Sequence, residues 1–111
     1  MGNYLLRQTA TGFKFDLKAG NGEVIGTSEV YTTKAAARNG INSVKKNAPI
    51  ATIDGATNPK FEIYNDKAGK SRFRLLAKNG KNILASEAYS SLASCKNGIE
   101  SVKNNSNSDI I

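Results

Sequence analysis

The chain writes one pattern twice. Set against itself with an offset of 58 residues, positions 15–47 fall on positions 73–105, and 17 of these 33 pairs are identical. The identities include Phe15/Phe73, Leu17/Leu75, Asn21/Asn79, Gly22/Gly80, Tyr31/Tyr89 and Asn39/Asn97. A duplication on this scale fixes the architecture before any residue is read for chemistry. The halves, 1–57 and 58–111, are each too short to bury a comfortable core alone. Two copies closing one shared core about a pseudo-two-fold axis are therefore expected, as one compact domain and not two independent ones.

Each copy reads as strands followed by one helix. Residues 4–7 form a brief strand. Phe13, Phe15, Leu17 and Ala19 then alternate with Lys14, Asp16 and Lys18, the period of a half-buried strand. Asn21-Gly22 supplies a hairpin turn, and residues 23–30 return with Ile25 toward the core. The second copy repeats this with residues 61–64, then Phe73, Leu75 and Ala77, a turn at Asn79-Gly80, and Ile83. The loop over residues 66–71 carries one extra residue, so upstream the offset drops to 57 and Tyr4 falls on Phe61.

Helices are expected after Thr33 and Ser91, whose hydroxyls can cap the first free N–H groups. Ala37, Ile41 and Val44 share one helical face, as do Cys95, Ile99 and Val102. Asn39-Gly40 and Asn97-Gly98 sit mid-helix, where glycine costs about 1 kcal/mol against alanine. The apolar spacing runs through both, so each glycine marks a close approach of helix backbone to the sheet. Pro49 ends the first helical region, residues 50–53 suggest a fourth strand, and residues 54–59 join the copies. The polar tail over residues 104–109 is expected to fray, with Ile110 and Ile111 able to mirror the strand at Ile50.

Three strands, a helix and a strand, written twice, resemble the YegP-like family of small bacterial proteins of unknown function. The runs that carry the resemblance are residues 13–23, 28–32 and 39–47, with their partners at 77–80, 86–90 and 97–103, and it covers nearly the whole chain. It implies an α+β fold in which two tandem β3-α-β repeats form one shared antiparallel sheet. Both helices lie on one face, and the last strand of each repeat is swapped onto the other. It brings no catalytic residues.

Chemistry is sparsely provided. There is no histidine and one cysteine, Cys95, so neither the commonest general base nor an ordinary zinc site is available. No cofactor is expected. Cys95 aligns with Ala37 and reads as a packed thiol; a lone cysteine also fits a reducing compartment. No apolar run is long enough to span a bilayer, no signal-peptide pattern opens the chain, and Leu6 disfavours myristoylation of Gly2. A cytoplasmic location is the expectation. The best catalytic constellation is Ser28-Glu29 with Tyr31, mirrored by Ser86-Glu87 with Tyr89, where a two-fold could bring Glu29 and Glu87 together. Salt-bridging and capping roles explain the same residues more simply, and a non-enzymatic reading is preferred.

A net charge of +7 is split almost evenly between the halves, which permits polyanion binding and equally serves solubility. By strand parity Lys14, Lys18, Arg72, Arg74 and Tyr64 point to the sheet face away from the helices. An open basic face suits a weak polyanion or nucleic-acid binder. Base stacking would have only Tyr64, because Phe13, Phe15, Phe61 and Phe73 belong to the core. The leading expectation is a monomeric binding module for an unknown protein partner, for which exposed sheet edges offer one route, with the polyanion surface as the alternative.

Overall fold

Two hairpins organise the sheet, and both turn on a glycine with φ of +84°, Gly22 and Gly80. A side chain there would sit in the left-handed region that glycine occupies without penalty. The computed structural model describes residues 2–111. In chain order the elements are β1 (Asn3–Gln8), β2 (Phe13–Lys18), β3 (Val24–Thr27), α1 (Lys34–Asn47) and β4 (Thr52–Ile53). The second copy supplies β5 (Lys60–Asn65), β6 (Ser71–Leu76), β7 (Asn82–Ala85), α2 (Leu92–Asn105) and β8 (Asp109–Ile110).

All eight strands form one sheet in the order β4-β5-β6-β7-β3-β2-β1-β8. The repeats meet at β3 and β7, where Thr27 pairs with Ala85. These two residues are equivalent at the offset of 58, so the pseudo-two-fold passes between them. The last strand of each repeat does cross to the other: β4 pairs with β5 and β8 with β1. Both of these outer pairs are parallel, so the sheet is mixed and not wholly antiparallel. Each outer strand follows the helix of its own repeat; β4 then runs parallel to β5 across a connection of residues 54–59 alone, and β8 runs parallel to the distant β1.

Both helix starts follow their hydroxyl caps, with the Ala36 N–H donating to Thr33 Oγ1 at 3.0 Å and the Ser94 N–H to Ser91 Oγ at 3.1 Å. The helices cover one face of the sheet. Phe15, Phe61, Phe73, Leu17, Leu75, Ile41 and Ile99 are fully buried between the layers. Gly40 and Gly98 answer the expectation of close approach in a specific way: a tyrosine from the strand side lies across each. A Cβ on Gly40 would stand 2.4 Å from Tyr31 Oη and 3.1 Å from Phe15; on Gly98, 2.3 Å from Tyr89 Oη and 3.2 Å from Phe73. Tyr31 stacks on Phe15 at 6.3 Å and Tyr89 on Phe73 at 6.2 Å.

Several boundaries differ from expectation. The fourth strand is only Thr52–Ile53, because Ala48–Ile50 forms a 3-10 turn that suits the fixed φ of Pro49. Its mirror is therefore Ile53 to Ile110, with Ile50 outside the strand. The tail does not fray: Tyr4 Oη donates to the Ser106 carbonyl at 2.6 Å, and the Ile111 N–H to the Tyr4 carbonyl at 2.9 Å. Of residues 4–7, β8 pairs with Tyr4 alone, so Leu5, Leu6 and Arg7 stay on the outer margin of the sheet. The outermost strands, β4 and β8, are two residues long, so the rest of β5 and β1 also lies along the sheet margin. Among the described residues no helix is long and apolar enough to cross a membrane.

Candidate functional site

Of the five residues expected on the open sheet face, Tyr64, Arg72 and Arg74 adjoin one another on β5 and β6, while Lys14 and Lys18 lie on β2, with β7 and β3 between. Tyr64 pairs with Arg72 across β5 and β6, and the Arg74 guanidinium lies 4.8 Å from the Tyr64 ring centroid. Two of the four charges in this set are spent within the face. Arg72 bridges Asp66 at 2.9 Å and Arg74 bridges Glu62 at 2.6 Å. A third bridge, Arg7 to Asp16 at 3.0 Å, sits beside Lys14 and Lys18, which make no ion pair among the described residues. The Arg72 bridge, with backbone N–H groups of the loop, holds the Asp66 carboxyl below its ordinary range. A polyanion laid across this face meets two unpaired cations and two arginines that must first give up a carboxylate.

The salt dependence of binding checks this. With about 0.9 of an exponent per phosphate contact, two contacts lose roughly tenfold in affinity between 50 and 200 mM salt and four lose roughly 150-fold. The expected result for duplex or single-stranded DNA is about tenfold. A loss near 150-fold, removed by changing Lys14, Lys18, Arg72 and Arg74 to serine, would make the face a nucleic-acid surface.

The carboxylate pair does not form. With Thr27 opposite Ala85 in antiparallel strands, Glu29 and Glu87 leave the two-fold in opposite directions. Four residues separate them, about 13 Å at the extended rise per residue, and both are exposed. Ser28 and Ser86 are committed elsewhere: each Oγ accepts a buried backbone N–H, from Phe15 or Phe73 at 2.9 Å, and donates to the next carbonyl at 2.8 Å. Cys95 is fully buried, and burial pushes its thiol pKa up, away from nucleophilic use. Among the described residues no three potential metal ligands gather.

The concave surfaces lie on the helix side, and sequence parity did not reach them. Each is a seam between the helix of one repeat and the β-hairpin of the other. In the first, of about 270 Å³, Tyr31, Asn39, Gly40 and Ser43 face Ala77, Asn79, Lys81 and Ile83. In the second, of about 280 Å³, Tyr89, Asn97, Gly98 and Ser101 face Ala19, Asn21, Glu23 and Ile25. With Ala36 and Ser94 included, the two sets match position for position. Seven of nine are identical, against 10 of the other 24 aligned positions.

Some of that identity is structural. Asn21 and Asn79 accept their own turn N–H groups at 3.0 Å, and Ser43 and Ser101 accept from Asn47 and Asn105. Two polar groups in each cleft are left over. The tyrosine hydroxyls at Tyr31 and Tyr89 and the exposed amides of Asn39 and Asn97 have no partner among the hydrogen bonds of the described residues. Asparagine is a poor mid-helix residue, so its use twice at one position needs a reason other than helix stability. Desolvation raises the pKa of both tyrosines, which keeps their hydroxyls neutral donors at physiological pH. The clue in the sequence was the pair Asn39/Asn97, identical at positions that the apolar spacing of the helices assigns to solvent.

Comparison with known proteins gives a family and a fold. The family model described as Domain of unknown function (DUF1508) matches twice, over residues 9–54 and 66–111. A UPF0339 protein of Photorhabdus laumondii is 47% identical over 91% of this chain and 83% of its own length. UPF0339 protein YegP of Yersinia pestis is 40% identical over 100% and 94%. The solution structure of a UPF0339 protein from Shewanella oneidensis superposes with a TM-score of 0.84 at 43% identity, covering 98% of this chain and 89% of that one. That of the protein of unknown function yegP from E. coli gives 0.85 at 38%, covering 98% and 90%.

Proposed function

The chain belongs to the DUF1508 family, whose domain it carries twice, and on that premise we propose that it is a non-enzymatic binding module gripping a protein partner through its two helix–hairpin clefts. The observation that carries this reading is the paired Asn39 and Asn97 amides, duplicated, exposed and unused by the fold. Beside each stands a tyrosine hydroxyl, also unused. Each cleft, of about 270 or 280 Å³, has room for a partner's side chain. Because each cleft takes its helix from one repeat and its hairpin from the other, duplication itself creates the site.

The test is a titration of the labelled protein with neutral amino acids capped as N-acetyl N′-methylamides, followed by amide chemical shifts. Shifts are expected at both seams, residues 31–43 with 77–83 and residues 89–101 with 19–25. Asn39→Ala should remove those of the first seam and Asn97→Ala those of the second. Each replacement should also raise stability by a few tenths of a kcal/mol, alanine being the better helix former, which separates lost binding from lost folding. Silence at both seams, or unchanged binding in both variants, overturns the proposal.

A further inference from the structure

The two clefts have diverged in charge. At the hairpin position where the second cleft carries Glu23, the first carries Lys81, whose Nζ lies 5.6 Å from the Tyr31 ring centroid, over the cleft. The first cleft also continues. Ser43, Ala77 and Asn79 are shared with an adjoining depression of about 360 Å³, lined further by Lys46, Lys78 and Ile50. At the offset of 58, Lys46 and Lys78 become Asn104 and Gly20. One seam therefore carries three lysines and the other a single glutamate. None of the three lysines makes an ion pair among the described residues, and all are exposed.

Glu23 leaves its mark on the second cleft: it adds to the effects of burial in raising the Tyr89 pKa, whereas on Tyr31 the only carboxylate acting is Glu29. Ile50, 66% exposed, also lacks an apolar counterpart, since Ser106, Asn107 and Ser108 occupy that stretch of the second copy. Along α1 the combined groove runs from Ala36 to Ile50. At 1.5 Å per helical residue this is about 20 Å, the length of roughly six residues of extended chain.

Resting on the binding reading above, we infer that this lysine-lined groove, and not its twin, receives an extended acidic segment of the partner protein. Lys46, Lys78 and Lys81 meet carboxylates, while Asn39 and Tyr31 take polar groups of the backbone. The lysines are long, mobile point charges without the planar fork that favours a compact bidentate anion. Spread along 20 Å beside an exposed isoleucine, they fit a chain with charges at intervals.

The test uses a capped hexapeptide alternating glutamate and serine, the same peptide with glutamine for glutamate, and tripolyphosphate, each followed by amide shifts at 50 and 200 mM salt. The glutamate peptide should shift residues 39–50 and 77–81, with an affinity at least about tenfold above the glutamine peptide, falling with salt. Transplanting the twin's residues, Lys46→Asn with Lys78→Gly and Lys81→Glu, should abolish that binding. The reverse graft, Gly20→Lys with Glu23→Lys and Asn104→Lys, should add a second equivalent site.

Equal affinity for the glutamate and glutamine peptides, or binding at both seams in the natural chain, overturns the inference while leaving the two-cleft module intact. Tripolyphosphate matching the peptide at the same amides overturns the peptide as occupant. If neither peptide binds but the neutral capped amino acids do, the acidic partner is wrong and the module stands; silence from every probe removes both.

Discussion

Gly26→Leu will unfold this protein more readily than most surface-sized changes suggest, and Leu84→Gly in the same molecule will largely repair it. The two residues are equivalent at the offset of 58 and flank the pseudo-two-fold beside the Thr27–Ala85 pair. A Cβ on Gly26 would stand 2.6 to 3.0 Å from Cγ and both Cδ atoms of Leu84. The duplicated fold has room for one leucine at its centre, and Leu84, 1% exposed, fills it from the second copy. A second leucine overpacks the β3–β7 junction at about 1–3 kcal/mol or more. Leu84→Gly alone empties the place, at about 2–5 kcal/mol for the cavity and a further 0.5–1 for glycine in a strand.

The exchange Gly26→Leu with Leu84→Gly restores one leucine at the junction from the other side. It is expected within about 2 kcal/mol of the natural chain, so the coupling between the sites is several kcal/mol and opposite in sign to the single effects. Urea unfolding of the four proteins measures it. Against a total stability of about 5–15 kcal/mol, each single change is a large fraction. Simple additivity of the two would show that the centre repacks freely and that the pair is not complementary.

That pair also shows where the sequence stopped speaking. Period-two alternation from Phe13 to Lys18 and the Asn-Gly turns identified the hairpins, because strand parity and positive φ are local properties. The hydroxyl caps at Thr33 and Ser91 and the glycines under the helices were legible for the same reason. The order of strands across the centre was not local. Without β3 beside β7, the contrast of Gly26 with Leu84 looks like ordinary drift, and Glu29 with Glu87 looks like a pair the two-fold could close.

The clefts were hidden by the same gap. Tyr31 and Asn39 are close in the chain, but Asn79 and Lys81 reach them only because the hairpin of the other repeat lies against α1. The tail was misjudged on composition: its serines are polar, yet Ser106 and Ser108 are buried, the first held at its carbonyl by a tyrosine a hundred residues away and the second by the Asn105 carbonyl. What the sequence did offer for the clefts was an anomaly, an asparagine placed twice where a helix gains nothing from it.

That tyrosine gives a prediction with an unusual pH dependence. Tyr4 is fully buried, and its hydroxyl anchors the last turn of the chain through the Ser106 carbonyl at 2.6 Å. Phenylalanine fits the same space, since Phe61 occupies the equivalent position and packs edge-on to Phe73 at 5.7 Å, as Tyr4 does to Phe15 at 5.9 Å. Tyr4→Phe therefore removes one hydrogen bond and leaves a buried carbonyl without its partner, a loss of about 1–3 kcal/mol at pH 8.

Burial also raises the Tyr4 pKa far above its ordinary value near 10. Below pH 10 the phenol is protonated in both folded and unfolded chains, and its contribution to stability is complete. Above pH 10 the unfolded chain releases the proton while the folded one keeps it. The unfolded state then binds fewer protons, and stability falls by about 1.4 kcal/mol per pH unit once the unfolded phenol is ionised. The variant lacks this group, so the gap between the two proteins should shrink above pH 10 and close near pH 11–12. Lysine titration is common to both and cancels. Urea unfolding at pH 8, 10 and 11 measures the gap. A constant difference across that range would mean that Tyr4 ionises as easily folded as unfolded, and that its hydroxyl is not sealed beneath the C-terminal strand.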